Sequence, residues 1–242
     1  METTAKRGVS GAVLKWIAVV TMFIDHAAVV LIEGSWTAGI RAVSYSQYLF
    51  LRGVGRLAFP IYCFLLVEGF RHTRDIRRYL LRLLVFGLIS ELPFNLAFRS
   101  SLFSTSYQNV YFTLFLGLLA VWAYAQVVKK LPAPRWAGVL LGLLAAAPWV
   151  VAAELLNTDY GLWGSGLILV IYLLRHFPLW RDLSSALVLY QSSPLEVVGY
   201  LDFLLFHFYN GQRGRQPKYF FYLFYPCHLL LLVGLRRLIF GL

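Results

Sequence analysis

LKWIAVVTMFIDHAAVVLI, residues 14–32, decides the fold. A helix needs about 20 apolar residues to cross a bilayer core, and this run supplies them. It exceeds the length of a signal-peptide core and no small-residue cleavage site follows it, so it is expected to be retained. Asp25 and His26 interrupt it well inside. A charged side chain at that depth costs roughly 3 kcal/mol on insertion scales and marks a functional site by default.

The rest of the chain repeats the pattern. Of its 242 residues, 60% are hydrophobic, 17% aromatic and only 14% charged, and the mean hydropathy is +0.68. A soluble domain of this length would need more surface charge. Apolar runs over about 13–33, 46–70, 78–98, 108–128, 136–155, 160–177, 184–208 and 219–240 predict an all-α polytopic membrane protein. About eight transmembrane helices would form one bundle, a single domain over 1–242. The seventh run contains Gln191, Pro194 and Glu196 and reads as broken or tilted. No internal repeat and no long polar linker is visible. Cys63 and Cys227 both fall in spans, so no disulfide framework organises the chain, and no metal-ligand spacing is present.

A net charge of +11 suggests nucleic acid or lipid as a partner, but the distribution of the charge favours membrane topology. With eight spans both termini share a side. That side carries Lys6 and Arg7, the arginines at 71, 74, 77 and 78, Lys129 and Lys130, and Arg236 and Arg237. The richer side is cytoplasmic, so both termini are expected there. Membrane lipid is an expected partner and nucleic acid is not. The loop 210–218, with Arg213, Arg215 and Lys218, falls on the opposite side and argues against the assignment unless it dips into the protein or binds a ligand.

Polar residues from at least six spans sort to the middle and outer half, as in a lined cavity: Asp25 and His26, Arg52 and Arg56, Glu91 and Asn95, Asn109 and Thr113, Asp159, and His228. Arg52 and Arg56 are expected to pair with Glu33, Asp25 or Glu91, Asp25 with Arg56 or as an acceptor from His228, and Glu68 with Arg71 or Arg74. Lys15 and His26 are eleven residues apart, about three helical turns, and share a face some 16 Å from end to end. A long ligand with an anionic head and a reactive tail fits that spacing, and acetyl-CoA is such a ligand. Arg71, Arg74, Arg78 and Arg82 recur every three or four residues and suit a phosphate-bearing head, or simply anchor the loop. Tyr222, Tyr225 and His228 share a face of the last span.

These blocks together resemble the TraX family. They are Lys15 with Asp25 and His26, GRLAFPIYCFLLVEGF at 55–70, YLLRLL at 79–84 and SELPFN at 90–95. NVYFTLFLG at 109–117, DYG at 159–161, YNGQRG at 209–214 and YFFYLFYPCHLLLL at 219–232 complete the match, which runs in order along the chain. The family's founding member acetylates the N-terminus of F-pilin. More distantly, the family is similar to transmembrane acyltransferases with a basic residue, ten residues and a His in the first span, which Lys15 and His26 fit. The resemblance implies a bacterial inner-membrane acetyltransferase using cytoplasmic acetyl-CoA, without a metal, on an amine or hydroxyl acceptor that is pilin-like in some members. It implies His26 as the catalytic residue and Lys15 as a contact to the CoA phosphate.

By chemistry, Asp25 and His228 join His26 as candidate catalytic groups. Arg56, Arg71, Arg74, Arg78 and Arg82 join Lys15 as candidate cofactor contacts. Glu68, Glu91, Asn95, Asn109, Thr113 and Tyr225 are candidates for acceptor binding or oxyanion stabilisation. Two other functions fit the same polar groups: a proton-coupled transporter using an Asp/His/Glu relay, and a non-catalytic assembly partner.

Overall fold

In hydrocarbon every backbone N–H and C=O must find its partner inside the segment, so an apolar run settles as a helix. The computed structural model of the chain follows that rule and describes residues 8–41, 43–131, 134–217 and 219–241. Lys6, Arg7 and Lys218, counted above for topology, lie outside the described residues. The protein is all-α and polytopic. The helices are α1 (Gly11–Ala27), α2 (Gly34–Thr37), α3 (Tyr45–Gly55), α4 (Ala58–His72), α5 (Ile76–Phe98), α6 (Val110–Lys130), α7 (Arg135–Leu155), α8 (Gly161–Leu173), α9 (Pro178–Ser192), α10 (Leu201–His207) and α11 (Phe220–Phe240). A π-helical turn, Ala28–Glu33, joins α1 to α2, and a 3-10 stretch, Pro194–Tyr200, leads into α10.

Local chemistry sets the helix starts. Ser10 caps α1 by accepting from Val13 N–H, and Ser44 and Gln47 close a capping box on α3. Asp75 caps α5 and Asn109 caps α6, each through its side-chain oxygen. Proline is not what breaks these helices in most cases: Pro93, Pro148 and Pro226 all sit inside continuous helices. The breaks fall at Arg56–Leu57 and at Ser193–Pro194.

Among the described residues, six segments are long and apolar enough to cross a membrane: Gly11–Thr37, Tyr45–His72, Ile76–Phe98, Val110–Lys130, Arg135–Leu155 and Phe220–Phe240. Helix α8 is a shorter apolar helix. The chain divides into two compact units. One joins the described residues up to Tyr62 with those from Leu195 onward, and the other is Cys63–Pro194.

In the first unit α1 and α11 run parallel. At the start of both, Gly11 N–H donates to Gln212 C=O at 2.8 Å, and Trp16 lies 5.1 Å from Phe220 between ring centroids. Midway, His26 meets His228. At the far end Gly34 abuts Arg236, whose Cδ would lie 3.1 Å from a Cβ built on the glycine. Start meets start and end meets end, so the beginning of α1 and the end of α11 lie on opposite sides of the membrane. The expectation that both termini share the cytoplasmic side is therefore overturned. So is the placement of the 210–218 loop opposite the first helix: Asn210 N–H donates to Val9 C=O at 3.0 Å, which puts the loop at the start of α1.

The cause is the seventh run, read as a crossing. Glu196 reaches Arg56, and Val198 packs on Gly53, while Tyr209 bridges to Val9. From Glu196 to Tyr209 the chain returns from the depth of Arg56 to the start of α1. In a protein whose Cys63 and Cys227 are replaced by Ser, Gln212→Cys and Leu238→Cys are expected to react with an impermeant maleimide from opposite sides. Labelling from one side would contradict the parallel arrangement.

Candidate active site

Asp25, buried on α1, is held by two guanidinium groups. Arg52 Nη1 donates to its Oδ1 at 2.6 Å, and Arg56 Nη2 donates to both carboxylate oxygens at 2.9 and 2.8 Å. Arg56 also donates through Nη1 to Glu196 Oε1 at 3.0 Å. Glu196 is 1% exposed, so two guanidinium charges meet two buried carboxylates. The break after α3 and the absence of a side chain at Gly55 allow this. A Cβ at Gly55 would sit 2.2 Å from Asp25 Cβ, closer than two carbons can approach. Of the carboxylates expected as partners of Arg52 and Arg56, the structure shows Asp25 against both. The Asp25 carboxylate thus faces α3.

One residue along, His26 turns to α11. Its Nδ1 lies 2.7 Å from His228 Nε2, with the ring planes within 5° of parallel. His228 Nδ1 lies 2.7 Å from the Phe224 carbonyl oxygen, which can only accept. His228 therefore donates through Nδ1, and its Nε2 is the acceptor. His26 in turn donates through Nδ1, which leaves the lone pair on its Nε2. The order Phe224 C=O, His228, His26 fixes both tautomers without a carboxylate. Tyr225 packs edge-on against both rings, with centroids 5.8 Å from His26 and 5.7 Å from His228. The α-helix gives way to a π turn just after His26, a distortion that recurs at functional sites.

Lys15 occupies the other end of the same face of α1. Its Nζ donates to Gln216 Oε1 at 2.7 Å and lies 5.3 Å from the Phe221 ring centroid. Lys15 and His26 thus both face α11, as the helical period predicts.

The remaining candidates belong to the second unit. Glu91 accepts at Oε1 from Asn109 N–H (3.0 Å) and Asn109 Nδ2 (2.5 Å), and at Oε2 from Asn95 Nδ2 (3.4 Å). Asn109 also donates to Gly87 C=O at 2.8 Å, and Thr113 bonds Thr158 and the Asp159 carbonyl. Most of these polar atoms bond each other or cap α6, while Asn95 Oδ1 has no hydrogen-bond partner among the described residues. Glu91, Asn95, Asn109 and Thr113 therefore tie α5, α6 and the 157–159 turn together within the second unit. Glu68 pairs with Arg71 at 2.6 Å as expected, and Arg78 with Asp75 at 3.0 Å. Arg71, Arg74, Arg78 and Arg82 are exposed at the α4–α5 turn, and Arg82 lies over the Tyr79 ring.

Sequence reasoning passed over Gln216 and Asp202, and named Glu196 only as an oddity of the broken run. Asp202 is fully buried and neither of its carboxyl oxygens has a hydrogen-bond partner among the described residues. A carboxyl residue in an otherwise apolar LDFLLFH helix was the available signal.

A family model described as TraX protein matches residues 10–236. The chain is 32% identical to a protein of Dichelobacter nodosus described as "Probable fimbrial assembly protein FimC, serogroup H1", over 92% of this chain and 94% of that protein. No solved structure matches.

Removing one partner of a buried ion pair typically costs about 3–5 kcal/mol, because the other charge is left behind. Asp25→Ala leaves Arg52 without its carboxylate and Arg56 with Glu196 alone, and is expected to lower stability on that scale, measured by denaturant or thermal unfolding in detergent. Gly55→Ala forces α3 away from α1 and is expected to cost about 1–3 kcal/mol by the same measurement.

Proposed function

The chain belongs to the TraX family, and on that basis we propose that it is a membrane-embedded acetyltransferase with His26 as its general base. The observation that carries this is the ordered pair His26–His228, with the lone pair on His26 Nε2. An imidazole is the side chain suited to take up and return a proton near neutral pH. The acceptor nitrogen or oxygen attacks the carbonyl carbon of the acetyl thioester, and its proton passes to His26 Nε2. The new N–C or O–C bond forms, the C–S bond breaks, and the thiolate sulfur takes the proton back from His26. The products are the acetylated acceptor and coenzyme A. His228 accepts from His26 Nδ1 throughout and stabilises the imidazolium as it forms, while Phe224 C=O holds His228 in the required tautomer. Tyr225 keeps both rings in register.

The donor is acetyl-CoA. Lys15, on the same face of α1 and about 16 Å away by helical rise, binds its anionic head, so the start of α1 faces the cytoplasm of a bacterial inner membrane. The acceptor is an amine or hydroxyl. The description of the Dichelobacter nodosus relative as a fimbrial assembly protein favours a surface-appendage subunit.

A second reading rests on Asp202. A buried carboxyl without partners, beside a network of Asp25, Arg52, Arg56 and Glu196, is also what a proton-carrying transporter would contain.

Purified protein with isotope-labelled acetyl-CoA and an acceptor amine separates these readings. General-base catalysis contributes roughly 10²–10⁴-fold, and His26→Ala is expected to lose that much of the transfer rate while remaining folded. His228→Gln should retain part of the rate and move its pH profile. A folded His26→Ala protein with full activity would overturn the assignment. Proton flux in liposomes, with no acetyl transfer, would favour the transporter.

A further inference from the structure

The YNGQRG segment at 209–214 has no part in the chemistry above, yet it is the most firmly attached loop of the first unit. Val9 N–H donates to Phe208 C=O at 2.8 Å, Asn210 N–H to Val9 C=O at 3.0 Å, and Gly11 N–H to Gln212 C=O at 2.8 Å. Gly214 adopts φ +70°, and a Cβ there would lie 2.7 Å from Ser10 Oγ and 2.8 Å from Ala12 Cβ. The loop is thus pressed on the first turn of α1, below Lys15.

Gln216 links the two. Its Oε1 accepts from Lys15 Nζ at 2.7 Å, and its Nε2 donates to the Arg213 carbonyl at 2.7 Å. Lys15 therefore meets a neutral amide where a lysine inside a span would ordinarily have a carboxylate. The Gln216 side chain thereby ties Lys15 to the Arg213 backbone through two hydrogen bonds. Among the described residues no carboxylate bridges to Lys15, Arg213 or Arg215. Like charges brought together by a rigid tether, with no internal counterion, lower their repulsion when an anion sits between them.

We propose that Lys15 and the tethered Arg213–Gln216 segment form a phosphate-binding site at the start of α1, with Arg213 and Arg215 supplying guanidinium contacts. A planar guanidinium donates two parallel hydrogen bonds to phosphate oxygens, while the Lys15 ammonium, fixed by Gln216, supplies a point charge. On the acetyltransferase reading, on which this assignment to the donor rests, the phosphate is that of coenzyme A. A lipid headgroup offers the same chemistry.

The test uses the full chain in nanodiscs of zwitterionic lipid. Binding of coenzyme A is measured for wild type, Arg213→Gln, Lys15→Gln and, as a control at an exposed arginine elsewhere, Arg41→Gln. Binding of vesicles containing phosphatidylglycerol is measured in parallel for the same proteins in detergent. Arg213→Gln is expected to weaken coenzyme A binding roughly tenfold, the scale of one charge-assisted contact, and Arg41→Gln to leave it unchanged. Arg213-dependent binding of the anionic vesicles without coenzyme A binding would keep the phosphate site and refute the donor reading. Coenzyme A binding that ignores Arg213→Gln would refute the site and leave the donor reading standing. If neither ligand depends on Arg213, the site is refuted.

Discussion

A carboxylate in the hydrocarbon layer must be neutralised, and the first unit is arranged around that requirement. Asp25 is answered by Arg52 and Arg56, and Arg56 by Glu196, so one anion on α1 fixes α3, the α3–α4 break and the segment after Pro194 at a common depth. Buried charge pairs gain little over apolar packing in stability, but they penalise any arrangement that separates them. Such pairs hold register. Gly55 belongs to the same constraint, because only a residue without a side chain lets the α3 backbone come this close to Asp25.

The consequence for the site is a division of labour between neighbouring residues. Asp25 points to α3 and His26, about 100° further round the helix, points to α11. The histidine pair is therefore oriented by a backbone carbonyl and not by an acid. In the second unit a different group, half-buried Glu91 with buried Asn95, Asn109 and Thr113, links α5, α6 and the turn before α8 through hydrogen bonds and caps α6.

Much of this was legible in sequence wherever a local period governed it. The helical repeat places Lys15 and His26 on one face, and Tyr225 and His228 on another, and the structure joins those faces. The pairing of Asp25 with Arg56 followed from charge alone. What the sequence hides is non-local. The run 184–208 has a span's length and composition, and only its contacts with Arg56, Gly53 and Val9 show that it turns back. That single difference reverses α11 and moves the basic loop to the start of α1. Similarly, depth can be read along a helix while azimuth between helices cannot.

The histidine pair joins residues 202 positions apart, on α1 and α11. Contacts of such long range form only after every intervening segment has been inserted, since loop closure must precede them. A chain in which α11 has not yet docked exposes its α1 face, with Lys15 and His26 in place, but has nothing to orient the imidazole. The tilt of one ring on α1 is set by a helix threaded long after it.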